Sequence, residues 1–282
     1  MARFINPTYD MAFKRIFGQE NSKDLLLDFL NDLLKGEKKI ESIRLLDKER
    51  PPLYHKGREG IYDIACLTEE EEYIIVEMQN AFQEYFYGRA LYYLSQIIAN
   101  QGEQGAKWEF DVKAVYGIFF LNFELGGKLR TDMILADRDT GEQISDKLRF
   151  IFVELPFFTK MKTECITGLD KWIYVLKNME NLKEIPFKEE KPIFKKLEQI
   201  ADLASLSREE RRRYDADLRA YRDHFAQINS AKRLGERIGE KKGRTEGKIE
   251  VVRNMKAKGL SVDMIADITG LSPAEIEKIQ VQ

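Results

Sequence analysis

Apolar residues near the N-terminus recur at steps of three and four: Phe13, Ile16 and Phe17, then Leu25, Leu26, Phe29, Leu30, Leu33 and Leu34. That spacing lines one face of a helix, with Asn21 or Ser22 available as a cap and Gly36 as a stop. From about Ile40 the pattern becomes extended, in the runs KIESIRLLD, EGIYDIACLT and EYIIVEMQ, the last two joined by the acidic turn EEE, which is of hairpin length. A Tyr- and Leu-rich helix is predicted from about Glu84 to Asn100. After it come VKAVYGIFFLNF, RTDMILADRD and KLRFIFVEL, strand-like by their β-branched and aromatic content. The order helix, three strands, helix, more strands predicts an α/β core with a mixed sheet covered by helices on both faces.

Past Pro156 the pattern turns helical. TGLDKWIYVLKNMENLKEI ends before Pro186, and KPIFKKLEQIADLASL follows. Tyr214, Leu218, Tyr221, Phe225 and Ile228 alternate at four and three, one apolar seam that calls for a partner. Gly235, Gly239, Gly243 and Gly247 then recur every fourth residue. Each Gly costs roughly 1 kcal/mol in a helix relative to Ala, so this stretch is either a charged helical connector, able to meet a second copy, or a linker. At the end, two short helices meet around Gly270, with Ser272 as N-cap, Pro273 at N1 and Glu275 at N3, a helix-turn-helix pattern. The resulting domain expectation is a core over residues 1–160, a helical extension over 161–228, a Gly-repeat connector over 229–258 and the small motif over 259–282.

Composition narrows the class. The 282 residues are 43% apolar and 11% aromatic, enough for a sizeable core. MARFINPTYDMAFKRIFG mixes charge with aromatics, and no run approaches the roughly 20 apolar residues of a spanning helix; the expectation is a cytoplasmic protein with no membrane partner. Cys66 and Cys165 fit no zinc or disulfide spacing. His55 and His224 are too few for a histidine metal site, so any metal must sit on oxygen. The net charge of -2 hides an asymmetry: Lys188 to Lys258 carries 20 Lys and Arg against 13 Asp and Glu, a basic arm beside an acidic remainder.

Asp63, Glu77 and Gln79 are polar residues inside two runs that otherwise read as buried strand. Residues two apart share a strand face, so Glu77 and Gln79 point the same way. Antiparallel pairing through the EEE turn brings Asp63 close to both. Carboxylates so placed resist ionisation unless a cation lies between them, and hard oxygen ligands suit Mg²⁺ or Mn²⁺. On spacing alone, a solvated sheet face explains the same residues.

The segments NPTYDMAFKRIFG, YDIACL, IIVEMQ, EYFYGRALYYLSQIIANQ and FIFVELPFF, in that order, resemble the recombination-promoting nuclease and putative transposase family of the PD-(D/E)XK nuclease superfamily, from about residue 4 to 160 and more loosely beyond. The resemblance implies a restriction-endonuclease-like core that hydrolyses DNA phosphodiesters with Mg²⁺ or Mn²⁺, with Asp63 and Glu77 as ligands. It also implies a catalytic place for Gln79, where the superfamily usually has Lys, and for Asp10 in the N-terminal motif. Gln79 orients by hydrogen bonds where Lys would bring charge. Asp10 reaches the metal through water or caps its helix. Lys14 and Arg89 are candidate phosphate contacts; an ion pair with Asp10 for the first and a helix-fixing pair for the second are the alternatives. Tyr92 and Tyr93 read as packing or groove residues. A module that binds DNA without efficient cleavage is the rival function, and a homodimer through the C-terminal helices would let two sites cut both strands.

Overall fold

A computed structural model describes residues 2–46, 49–50, 60–102 and 109–280. His55 and the outer ends of two predicted strands, Asp47 and Glu59, lie outside the described residues. Among the described residues, α1 (Asp10–Phe17) and α2 (Lys23–Leu33) precede the short β1 (Ile43–Leu45), β2 (Glu49–Arg50) and β3 (Gly60–Ile61), then β4 (Ile64–Thr68) and β5 (Tyr73–Gln79). Next come α3 (Phe86–Ala99), β6 (Val115–Leu121), β7 (Arg130–Ala136) and β8 (Gln143–Glu154). Among the described residues five α-helices follow: α4 (Gly168–Asn178), α5 (Ile193–Ala201), α6 (Arg208–Ala257), α7 (Val262–Thr269) and α8 (Pro273–Glu277). Two compact units result, Met1–Leu218 and Arg219–Gln282.

In the first unit a mixed six-stranded sheet runs in the order β1-β4-β5-β6-β8-β7. The β4–β5 hairpin is antiparallel, whereas β5, β6 and β8 are mutually parallel. Parallel neighbours require a crossover, and α3 provides it between β5 and β6. Helices flank both faces, so this is the restriction-endonuclease-like α/β architecture expected. On one face Phe86, Ala90, Leu94 and Ile97 of α3 bury Ile75, Phe119 and Phe152. Gly117 has no side chain because α3 presses there: a Cβ would lie 2.5 Å from a Leu94 methyl. On the opposite face, Phe13 of α1 and Phe29 of α2 meet Phe120 at 6.0 and 5.2 Å between ring centres, and Trp172 of α4 closes on Phe29 at 5.9 Å. Adjacent strand residues point to opposite sides, which is why Phe119 and Phe120 serve different helices.

Three local expectations change. The single predicted strand over residues 59–68 breaks into β3 and β4, with a bend at Asp63. The Ser22 hydroxyl makes no cap bond to α2; it donates to the carbonyls of Arg15 and Gln19. The first turn of α1 is capped by Asp217 of α6, which accepts from Met11 N–H at 2.9 Å, while Asp10 is the first helical residue, not the N-cap, and pairs with Lys14. The first unit also takes up the start of the apolar seam: Tyr214 is buried against Tyr9.

In the second unit α6 continues as helix through all four repeated glycines. Near its end Val252 forms a core with Ile265 of α7 and Ile276 of α8. The capping box of Ser272 and Glu275 forms, and Gly270 adopts φ +68° to end α7, as helix-ending glycines do.

Candidate active site

The three parallel strands end together: Gln79, Leu121 and Glu154 lie side by side in register. Ligands in open α/β sheets bind at such carboxyl ends. The β4–β5 ladder stops at the Ile64–Val76 pair, and the N–H of Met78, which a further rung would have used, donates instead to Asp63 Oδ2 at 2.9 Å. The bend at Asp63 thus trades a backbone bond for a carboxylate held against β5.

Glu77 is 2% exposed and faces the α3 side of β5. Its Oε2 accepts from the Gln79 side-chain amide at 3.0 Å and from Arg89 of α3 at 3.5 Å. Its Oε1 is buried with no hydrogen-bond partner. Such an atom is costly to bury unless something outside the chain satisfies it. Burial and then the neighbouring Asp63 charge push Glu77 up to about 7, against Arg89 and Gln79. Asp63 is pushed up to about 6 by burial, with the Met78 amide and Lys14 pulling the other way.

Lys14 projects from the second turn of α1, forms an ion pair with Asp10, and lies 3.5 Å from Asp63 Oδ1. Burial opposes its charge, yet the hydrogen bond with Asp10 and the charge of Asp63 outweigh it and raise its pKa. The described residues therefore bring Asp63, Glu77, Gln79, Lys14 and Arg89 together, with Asp10 at the rim bound to Lys14. Arg89 meets Glu77 directly and is steadied by Gln83 Oε1 at 2.9 Å. Gln79 donates one of its two side-chain N–H groups to Glu77.

Several supporting residues escaped the sequence analysis. Asn80, next after Gln79, donates to the Thr8 carbonyl and accepts from Asn122 at 3.2 Å. The Asn6 side chain receives Thr8 N–H at 3.0 Å, and together these bonds fasten the entry to α1 onto the end of β5. Glu154, fully buried, receives the N–H groups of Leu125 and Gly126 at 2.6 and 2.7 Å and fixes the loop after β6. An NPT turn ahead of a helix was a readable signal for the first; Glu154 ending an apolar strand was one for the second.

The donor set fits a hard divalent cation: two adjacent carboxylates, one bare oxygen, and, among the described residues, no imidazole or thiolate bonded to them. Among the described residues no group of three or more His, Cys, Asp or Glu could hold a metal; a divalent ion on two carboxylates alone keeps its other coordination positions for water and substrate oxygens. Among them also, no helix is long and apolar enough to cross a membrane. The family model described as PD-(D/E)XK nuclease family transposase matches residues 7–231. No curated protein and no solved structure matches the chain.

Proposed function

The chain belongs to the PD-(D/E)XK nuclease family transposases, and from that premise we propose that it is a metal-dependent DNA endonuclease hydrolysing phosphodiester bonds, with Asp63 and Glu77 as ligands of Mg²⁺ or Mn²⁺. Such an activity suits recombination or mobile-element processes. The observation that carries the reading is the bare, buried Oε1 of Glu77 beside the half-buried carboxylate of Asp63. A bound divalent ion would supply Lewis-acid charge to the phosphate and lower the pKa of a water.

The chain's own residues prepare the site. Met78 N–H anchors Asp63, while Gln79 and Arg89 grip one oxygen of Glu77 and leave the other free. Where the superfamily usually has Lys, Gln79 carries no charge; Lys14 from α1 is the ammonium that reaches Asp63 and takes over that electrostatic part, with Asp10 holding it. Arg89 has donors beyond those bound to Glu77 and Gln83, and a guanidinium so placed binds a phosphate oxygen. Asn80 and Glu154 are positioning residues that hold α1 and the β6 loop around the carboxylates.

The test is plasmid incubated with wild type, Asp63→Ala and Glu77→Gln in Mg²⁺, Mn²⁺ and EDTA. Expected is cleavage that requires the metal and falls by at least about 100-fold in either variant, the upper end of what losing a mere supporting contact costs. A second reading, a nuclease fold that binds DNA or assembles without efficient cleavage, is favoured by one observation: the Gln79 amide is already bound to Glu77. Plasmid left equally intact by wild type and Asp63→Ala, yet retarded by both in a gel, would give that reading the advantage.

A further inference from the structure

The segment that leads from Gln79 into α3, and α3 itself, carry rings that the core leaves exposed. Phe82, three residues beyond Gln79, is 60% exposed, and Tyr85 is 70% exposed. Tyr92, on the second turn of α3, is 44% exposed. Arg89 N–H donates to the Tyr85 carbonyl at 3.0 Å, so Tyr85 is already in helical register with α3. Positions 85, 89 and 92 are separated by four and three and share a helix face. Arg89 is therefore flanked along that face by two exposed tyrosines, and Arg89 is the side chain that reaches Glu77.

Neither the loop nor the face is loose. Gln83 is bonded to Arg89, the Arg89 guanidinium lies 5.6 Å from the centre of the Tyr93 ring, and Phe82 stands edge-on to Phe123 at 5.8 Å. Phe123 in turn belongs to the loop that Glu154 holds. Phe82 is thus steadied by Phe123 and Tyr92 by Tyr93, at 5.9 Å between ring centres, while both rings and Tyr85 stay largely exposed, as a stacking platform requires. An exposed aromatic set that continues directly from a phosphodiester site points to what is covalently attached to the phosphate, the bases. Inside a duplex the flat faces of bases are covered by their neighbours; only unpaired or splayed bases present them.

Resting on the nuclease reading above, we propose that Phe82, Tyr85 and Tyr92 stack unpaired bases on either side of the phosphate held at Asp63 and Glu77, so that the substrate is single-stranded or locally opened DNA. The Arg89 guanidinium, which lies over the Phe86 and Tyr93 rings, meets the backbone. Stacking of this kind accepts any base, so the preference is for an unpaired strand and not for a sequence.

The experiment compares binding of three labelled probes by fluorescence anisotropy in Ca²⁺, chosen to hold turnover down: a single strand, the same strand with abasic sites in place of its bases, and a blunt duplex. Wild type is expected to bind the intact strand more tightly than the abasic one by about tenfold per stacked base, and more tightly than the duplex. Tyr85→Ala/Tyr92→Ala is expected to lose that difference, and Tyr85→Phe/Tyr92→Phe to keep it, with circular dichroism showing all three folded. Equal binding of intact and abasic strands by wild type, or an undiminished difference in the double Ala variant, overturns the proposal. So does a change of sedimenting mass in the Ala variant with the strand preference intact, since the rings would then serve a second copy. Strand preference without plasmid cleavage removes the nuclease reading alone; cleavage without strand preference removes this inference alone.

Discussion

At the scale of single residues the site is held in electrostatic tension. Glu77 folds with a carboxyl pushed up to about 7 from an ordinary 4.5. A raised folded-state pKa means that the folded chain binds this proton more tightly than the unfolded one. Its contribution to metal-free stability is full below about pH 4.5 and lost as the pH rises through about 7. Glu77→Gln should therefore raise the melting temperature of metal-free protein at pH 8, by a few degrees, and leave it nearly unchanged at pH 4.5; thermal denaturation in EDTA at the two values checks the sign. Metal binding runs the other way, because both carboxylates must give up protons. Affinity for Mn²⁺, followed by calorimetry, should rise steeply from pH 5.5 to 7.5 and release protons to the buffer. Lys14→Met separates two roles for one ammonium. Removing a resident positive charge 3.5 Å from Asp63 should tighten Mn²⁺ binding while slowing cleavage by about 10-fold or more, whereas a purely structural lysine would move neither in that pattern.

At the scale of elements, the site depends on contacts that place α1 and the β6 loop. Glu154 satisfies two buried N–H groups, so Glu154→Ala leaves both bare and should destabilise the fold by about 3 kcal/mol, measured by urea denaturation. Asp217→Ala strips the cap from α1 and should cost about 1 kcal/mol, with a loss of cleavage larger than that stability change explains, because Lys14 rides on the same helix. The glycine stripe of α6 carries its own test. A Cβ added at Gly239 or Gly243 meets nothing within 4 Å in the chain. Gly239→Ala/Gly243→Ala should raise helicity and stability by roughly 1 kcal/mol per site; a fall in sedimenting mass instead would show that a second copy packs on the stripe.

At the scale of the whole molecule, the nuclease fold and the candidate site lie within Met1–Leu218, and the long helix carries on into a unit with its own small core. A chain ending at Leu218 keeps every residue of the site and the Tyr214 anchor on Tyr9. It should fold cooperatively and cleave with an unchanged metal requirement. Self-association, if the exposed Phe225 and Ile228 mediate it, should be confined to the full-length chain; sedimentation of both forms at micromolar concentration decides this.

Much of the molecule was legible in the sequence because local rules were enough. Helical and strand periods, the EEE turn and the Ser272 capping box depend on residues close in the chain, and each forms with shifted ends. The pairing of Asp63 with Glu77 was also readable, since a hairpin maps sequence distance onto space. What only the tertiary structure decided involves partners far apart in sequence. Lys14 reaches Asp63 across 49 positions, Asp217 caps Met11 across 206, and Glu154 captures a loop 28 residues away. The break at Asp63 belongs here too: an unbroken strand and a bent one share the same alternation, and the choice came from a carboxylate taking the N–H of Met78. Finally, the bare Oε1 of Glu77 exists only because Gln79 and an arginine from a crossover helix occupy its twin, an asymmetry that the packed fold alone produces.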